Sequence, residues 1–277
     1  MSKPEENQTQ INRTRRHFLG LAAATGARAA AIGGLVTSTL FPFSKARAMG
    51  NKWWQKPGPG NGTMCFLRGT AIRTPQGETP IENLQIGDLV ETVNGSAQPV
   101  RWIGRRTYKR SGPSWHESML PVRIARHAID DQTPHRDLYL SPYHALLVDG
   151  VLVRVKDLVN GVTVAPALPD DRSSIEYFHL VLDTHEIILA EGAPAETFRI
   201  ADNNHESFDN FVEFERLYPA EQQPTMEAFA PTVGYGGGGR EHLKALIRFG
   251  VRRFVRRPDP VEDAYDRIAA RVPLVVS

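Results

Sequence analysis

The chain has 277 residues, with 33 Lys and Arg against 31 Asp and Glu, giving a formal net charge of +2. That balance implies neither a nucleic-acid partner nor an acidic binding surface. A hydrophobic share of 41% is ordinary for a globular protein, and the length suits one sizeable domain with extensions or two small domains.

Residues 1–48 read as an export segment, to be set aside from the fold. A polar stretch to Asn12 precedes Thr14-Arg15-Arg16-His17-Phe18-Leu19, the paired-arginine arrangement of twin-arginine signals. An Ala/Gly-rich, moderately apolar run from Leu19 to Phe43 follows, interrupted by Arg28. A charge there disfavours a stable transmembrane helix. The stretch closes with the small-x-small pattern Ala46-Arg47-Ala48. The expectation is a mature protein that starts at Met49, crosses the inner membrane already folded, keeps no stable membrane span and is periplasmic or secreted. An uncleaved membrane anchor is the competing reading. Residues 49–64 form a short leader whose Pro57-Gly58-Pro59-Gly60 run holds neither helix nor central strand. Trp53 and Trp54 within it read as a hydrophobic pair that docks on the domain surface.

Residues 65–198 carry a β pattern. Short β-branched or aromatic runs alternate with turn signals: Ala71–Thr74, Leu89–Val93, Gln98–Ile103, Leu138–Leu140, Ala145–Val148, Val151–Val153 and Tyr177–Leu182. Asn94-Gly95 between apolar runs predicts a type I′ hairpin turn, with both central residues at positive φ. No segment here holds ten residues of helical periodicity, so the expected class is all-β. An internal echo adds to this. Ile81-x-x-Leu84-x-x-Gly87-x-x-Val90 returns as Val155-x-x-Leu158-x-x-Gly161-x-x-Val164, which predicts two similar halves about a pseudo-twofold axis, each with a glycine turning into a strand.

Residues 199–277 form a C-terminal extension. Asn203-Asn204 and Pro219–Pro224 are loop-like, and Gly236–Gly239 is a flexible break. Two helices are predicted after it. Glu241–Val255 carries the apolar stripe Leu243, Leu246, Ile247, Val251 and Phe254 beside several arginines. Val261–Val272 is preceded by Asp259 as N-cap and Pro260 at the first helical position. The basic helix suits packing on the β domain with solvated arginines better than lying on a membrane surface.

Chemistry concentrates on one cysteine and three of nine histidines. Cys65, the only cysteine, opens the β pattern in Met64-Cys65-Phe66-Leu67-Arg68-Gly69-Thr70, so no intrachain disulfide exists. A thiol at that place can turn back on the Met64–Cys65 peptide bond. A buried apolar role is the equal alternative, since free cysteine is among the most buried side chains, although the first residue of a β domain is rarely deep core. His144 lies in Leu140-Ser141-Pro142-Tyr143-His144, with a hydroxyl three residues before it, and His179 and His185 lie in Tyr177–His185.

These motifs together resemble the Hint superfamily, the fold of Hedgehog carboxyl domains and inteins. The resemblance runs through Cys65-Phe-x-x-Gly-Thr, Thr74-Pro-x-Gly-x-x-Pro-Ile-x-x-Leu-x-x-Gly-Asp88-x-Val and Ser141-Pro-x-His144. It is closest to bacterial members that also carry segments like Pro99–Gly104, Tyr177–His185 and Ala190–Glu196. It implies a compact β fold of duplicated halves and a self-processing activity. Cys65 would be the nucleophile of an N-to-S acyl shift, His144 the group that loosens the scissile amide and protonates its nitrogen, and Ser141 the hydroxyl that orients that peptide, where the family usually has threonine. His185 would match the later histidine of the superfamily, and His179 a position where inteins often carry aspartate. The stretch Gly192–Phe198 lacks the terminal His-Asn pair of inteins, so complete splicing is not expected.

Physical chemistry makes compatible demands. Only the thiolate attacks, from a reference pKa of about 8.5, so a base such as His179 or His185 is needed. The departing amine needs an acid that titrates near neutrality. Three functions follow as expectations. The first is a single-turnover, cysteine-dependent cleavage of Met64–Cys65 with no cofactor, its own leader peptide as substrate and water or a small nucleophile as acceptor. The second is an exported non-catalytic β module for binding or envelope structure. The third, ranked last because paired ligand spacing is lacking, is a metal site of Cys65 with His144, His179 or His185.

Overall fold

The computed structural model describes residues 64–116, 119–170, 172–201, 203–219, 223–234 and 259–276. The twin-arginine segment, residues 49–63 of the leader with Trp53 and Trp54, and the helix expected over Glu241–Val255 lie outside the described residues.

The first strand of the domain is a central one, and that decides much about the site. β1 (Phe66–Leu67) is flanked on both sides by later strands, because two short antiparallel pairings converge on it. The remaining strands are β2 (Ala71–Thr74), β3 (Gly77–Pro80), β4 (Leu89–Glu91), β5 (Ala97–Pro99), β6 (Trp102–Lys109), β7 (Val122–Ile124) and β8 (Leu138–Leu140). They continue as β9 (Ala145–Val148), β10 (Val151–Arg154), β11 (Val164–Pro166), β12 (Ser174–Val181), β13 (Ile187–Ala190), β14 (Ala193–Glu196) and β15 (Thr232–Val233). One sheet runs β11-β7-β8-β1-β12-β6, a second runs β15-β10-β9-β14-β13-β2-β3, and β4-β5 is a separate pair. Among the described residues, all strand pairings are antiparallel except β10 with β15. The fold is all-β, with short helices in the C-terminal region: α1 (Phe211–Leu217), α2 (Pro260–Ala270) and α3 (Val272–Val276). Among the described residues, no helix is long and apolar enough to cross a membrane.

The echo in the sequence is an echo in structure. Each copy follows a hairpin, β2–β3 or β9–β10, and opens with a short 3₁₀ turn, Ile81–Asn83 or Val155–Leu158. Each then passes a glycine at positive φ, Gly87 or Gly161, into a strand whose Val90 or Val164 is fully buried. In the larger sheet the two halves meet at the β13–β14 hairpin, where β13 pairs with β2 and β14 with β9. Together they enclose the main core.

Some local expectations need correction. Gly95 has φ +77 but Asn94 has no positive φ, and the Gly95 N–H donates to the Thr92 carbonyl. That is a type I turn closed by a left-handed glycine, the arrangement of a longer hairpin loop. The two-residue turns with both φ positive are Asp149-Gly150 and Glu191-Gly192, which join β9 to β10 and β13 to β14. The run Gln98–Ile103 divides between β5 and β6. The stretch after Phe198 also holds a helix, α1, which seats Phe214 on the Trp102 ring. At α2 the cap is as expected, with the Asp259 side chain accepting from the Val261 N–H and Pro260 in the first turn.

Candidate active site

Cys65 is fully buried, and its place in the sheet is the reason. Phe66 faces Leu140 on one side and Phe178 on the other. Continuing both registers by one residue sets Cys65 between Ser141 and His179. The Cys65 N–H, which is the nitrogen of the Met64–Cys65 peptide, donates to Ser141 Oγ at 2.8 Å. The Ser141 N–H returns a bond of 2.8 Å to the Cys65 carbonyl. Alternation along β1 sends Cys65 and Leu67 into an aromatic cluster with Trp102, Tyr177 and Phe198, and Phe66 into the main core. The initial expectation that an opening cysteine avoids the deep core fails here, because this domain opens on a central strand.

His144, His179 and His185 are buried as well. The Phe66 ring stands edge-on to His144, at 4.3 Å between centroids, and to His179, at 5.7 Å. The His144 and His179 rings are 4.9 Å apart. Hydrogen bonding fixes the neutral tautomers, since a carbonyl only accepts and an amide only donates. His144 Nε2 is 3.1 Å from the Glu196 carbonyl, so Nε2 carries the proton and Nδ1 keeps a lone pair that accepts no hydrogen bond among the described residues. His179 Nδ1 accepts from the Leu180 N–H at 3.1 Å, which leaves an unused Nε2–H. His185 Nδ1 accepts from the Phe229 N–H at 3.0 Å, and its Nε2 is 3.5 Å from Glu196 Oε2. The site thus holds a free base on one ring and a free donor on the ring beside it.

Burial sets the charge states. It pushes the Cys65 thiol well above its usual range, against a smaller pull from the Arg106 charge. Burial also pushes His144 down to about 4, opposed by the Glu196 charge and by the carbonyls of Glu196 and Cys65, with His185 adding slightly to the fall. His179 is lowered well below the normal histidine value by burial first, then by His144 and His185. At neutral pH the thiol is protonated, and the rings of His144 and His179 are neutral. Among the described residues the thiol makes no hydrogen bond to these rings.

The sequence reading missed Glu196. This buried carboxylate accepts the Ala145 N–H at 2.8 Å through Oε1, faces His185 through Oε2, and offers its carbonyl to His144. Its only signal was its place at the end of the Ala190–Glu196 motif. Metal-type groupings fall elsewhere: the one found among the described residues is Glu78, His135 and Glu191, with ligand atoms within 4.8 Å of one another. Arg136 already bonds Glu191 there at 2.8 Å.

The family model described as "Hint domain" matches residues 64–202, half of the chain. The chain belongs to the Hint domain family. Membership supports a self-processing domain in general terms. Similar solved structures include the gp41-1 intein, 16% identical, covering 48% of this chain and 98% of that one, at a TM-score of 0.33. A bacterial intein-like domain from Clostridium thermocellum is 13% identical, covers 50% and 100%, and scores 0.36. A DnaB intein from Synechocystis is 11% identical, covers 49% and 99%, and scores 0.34. No curated protein matches the chain. The Hint match begins at Met64, so the peptide bond at issue lies at the edge of the domain.

Proposed function

We propose that this Hint domain cleaves its own chain at Met64–Cys65 through a thioester. Cys65 Sγ attacks the Met64 carbonyl carbon, and the His144 lone pair takes the thiol proton. The C–N bond then breaks, and the same proton passes to the departing Cys65 nitrogen. Water or a small nucleophile next attacks the thioester carbonyl, which releases the upstream segment and regenerates the thiol. Complete splicing does not follow, because Gly192–Phe198 contains no asparagine to cyclise. The observation that carries the proposal is the clamp on the scissile peptide, with Ser141 Oγ on its nitrogen and the Ser141 N–H on the next carbonyl. His179, with its unused N–H opposite Cys65, suits an oxyanion better than it suits a base. The proposal includes twin-arginine export of the folded chain, which makes the substrate the leader that ends at Met64.

Intact mass of the mature protein with and without hydroxylamine tests this. Wild type is expected to lose the leader mass and Cys65→Ala to keep it. Equal, unchanged masses after prolonged incubation would sink the proposal.

A second reading has its own support. The thiol is buried, protonated and unbonded to any imidazole, as in a Hint fold retained for binding or envelope structure. Recovery of protein from the periplasm with the Met64–Cys65 bond cut would exclude it.

A further inference from the structure

We infer that Glu196 is the positioning residue of this site: it holds His144 through two separate atoms, and His185 serves Glu196 and not the scissile peptide. For its activity readout the inference rests on the cleavage proposed above. Glu196 ends β14, beside the turn that carries His144. Its carbonyl receives the His144 ring at 3.1 Å, and its Oε1 receives the N–H of the next residue, Ala145, at 2.8 Å. Ring and main chain of His144 are therefore fixed by one neighbour. This attachment is what leaves Nδ1, and not Nε2, with the free lone pair.

A buried carboxylate needs donors, because an unpaired charge away from water is costly. The Ala145 N–H supplies one, and the remaining oxygen, Oε2, faces His185 Nε2 at 3.5 Å. The other nitrogen of His185 is taken by the Phe229 N–H. Because Nδ1 accepts that N–H, the ring proton sits on Nε2, which lies 3.5 Å from Glu196 Oε2 without a formed hydrogen bond, so His185 has no lone pair to offer the thiol. A continuous chain of contacts results, from Phe229 through His185 and Glu196 to His144. The segment around Phe229 belongs to the C-terminal region and is anchored by β15 on β10, so that region reaches the chemistry through Glu196.

The test uses the mature chain with imidazole nitrogens labelled, in wild type, Glu196→Gln, His185→Gln and the double variant. Nitrogen chemical shifts should report His144 and His185 as Nε2–H tautomers in wild type. Glu196→Gln, which keeps an acceptor for Ala145 but presents an amide donor to His185, should shift the His185 signals and then those of His144. Hydroxylamine-stimulated cleavage should fall about 10- to 100-fold in each single variant, as expected for one lost charge-assisted contact. The double variant should fall no further, because both act along one path. Unchanged His144 signals in Glu196→Gln, or multiplying losses in the double variant, would overturn the inference. If wild type does not cleave, the acyl-shift proposal fails while the nitrogen shifts still decide the placement of Glu196. If Glu196→Gln does not fold, His185→Gln carries the same comparison.

Discussion

Replacing His144 by alanine is expected to slow cleavage at Met64–Cys65 by about 10²- to 10⁴-fold, the usual contribution of a positioned acid–base group. Of the three buried rings, His144 is the one whose acceptor nitrogen receives no hydrogen bond: its Nε2 is spent on the Glu196 carbonyl, whereas His179 Nδ1 and His185 Nδ1 each accept a main-chain N–H. A buried thiol held well above its usual pKa cannot supply thiolate by itself. The proton must leave as the sulfur attacks, and a neutral imidazole is the group able to receive it. The ring is also packing, edge-on to Phe66, so thermal melts of His144→Ala and the better-filling His144→Gln separate lost chemistry from a loosened core. The pH profile adds a direction. Burial holds His144 at about 4, so the neutral base persists through pH 5, where an exposed histidine would be charged. Wild-type cleavage, corrected for ionisation of the nucleophile, should be level from pH 8 to about 5 and decline as pH falls through about 4. Cleavage by His144→Ala at the wild-type rate would remove this residue from the mechanism.

How much of this was legible in the sequence depends on the range of the interaction. β2, β8 and β9 coincide with the predicted runs because alternation along a strand is local. The duplicated halves were visible for the same reason: the spacing of Ile81, Leu84, Gly87 and Val90 encodes a 3₁₀ turn, a left-handed residue and a strand within ten positions. The burial of Cys65 was not visible. It follows from β8 and β12 closing on β1 from more than seventy positions away in the chain, and no local pattern carries that. Glu196 was hidden for a similar reason. A glutamate in a strand reads as solvent-facing, and only tertiary pairing with Ala145 and His185 makes a buried one tolerable. α1 was missed because seven residues are too few to display a helical period, and what holds it is Phe214 against Trp102. Hairpin turns were misassigned at Asn94-Gly95 because the dipeptide preference is weaker than loop length, which strand register sets.

The residues beyond the Hint match bear on stability as well as on the site, and Gly104 offers a way to measure it. Gly104 pairs with His179 across β6 and β12. A Cβ placed there would lie 2.7 Å from two ring carbons of Phe208 and 2.9 Å from Trp102, closer than such atoms approach. Phe208, in turn, is buried edge-on against Trp102 and Phe198, and Phe198 lies edge-on to His179. Glycine at 104 is thus the space that lets a C-terminal aromatic close the wall behind the buried histidine cluster. Gly104→Ala should cost about 1–3 kcal/mol by overpacking. Phe208→Ala should cost about 3–5 kcal/mol through lost burial and the cavity left behind. In the double variant the clash disappears and the new methyl fills part of the cavity. The combined loss should therefore fall short of the sum by about 0.5–3 kcal/mol. Chemical denaturation of the four proteins reads this out. Strict additivity would mean that Phe208 does not sit over Gly104 in solution, and that the C-terminal region is an appendage and not the final layer of the core.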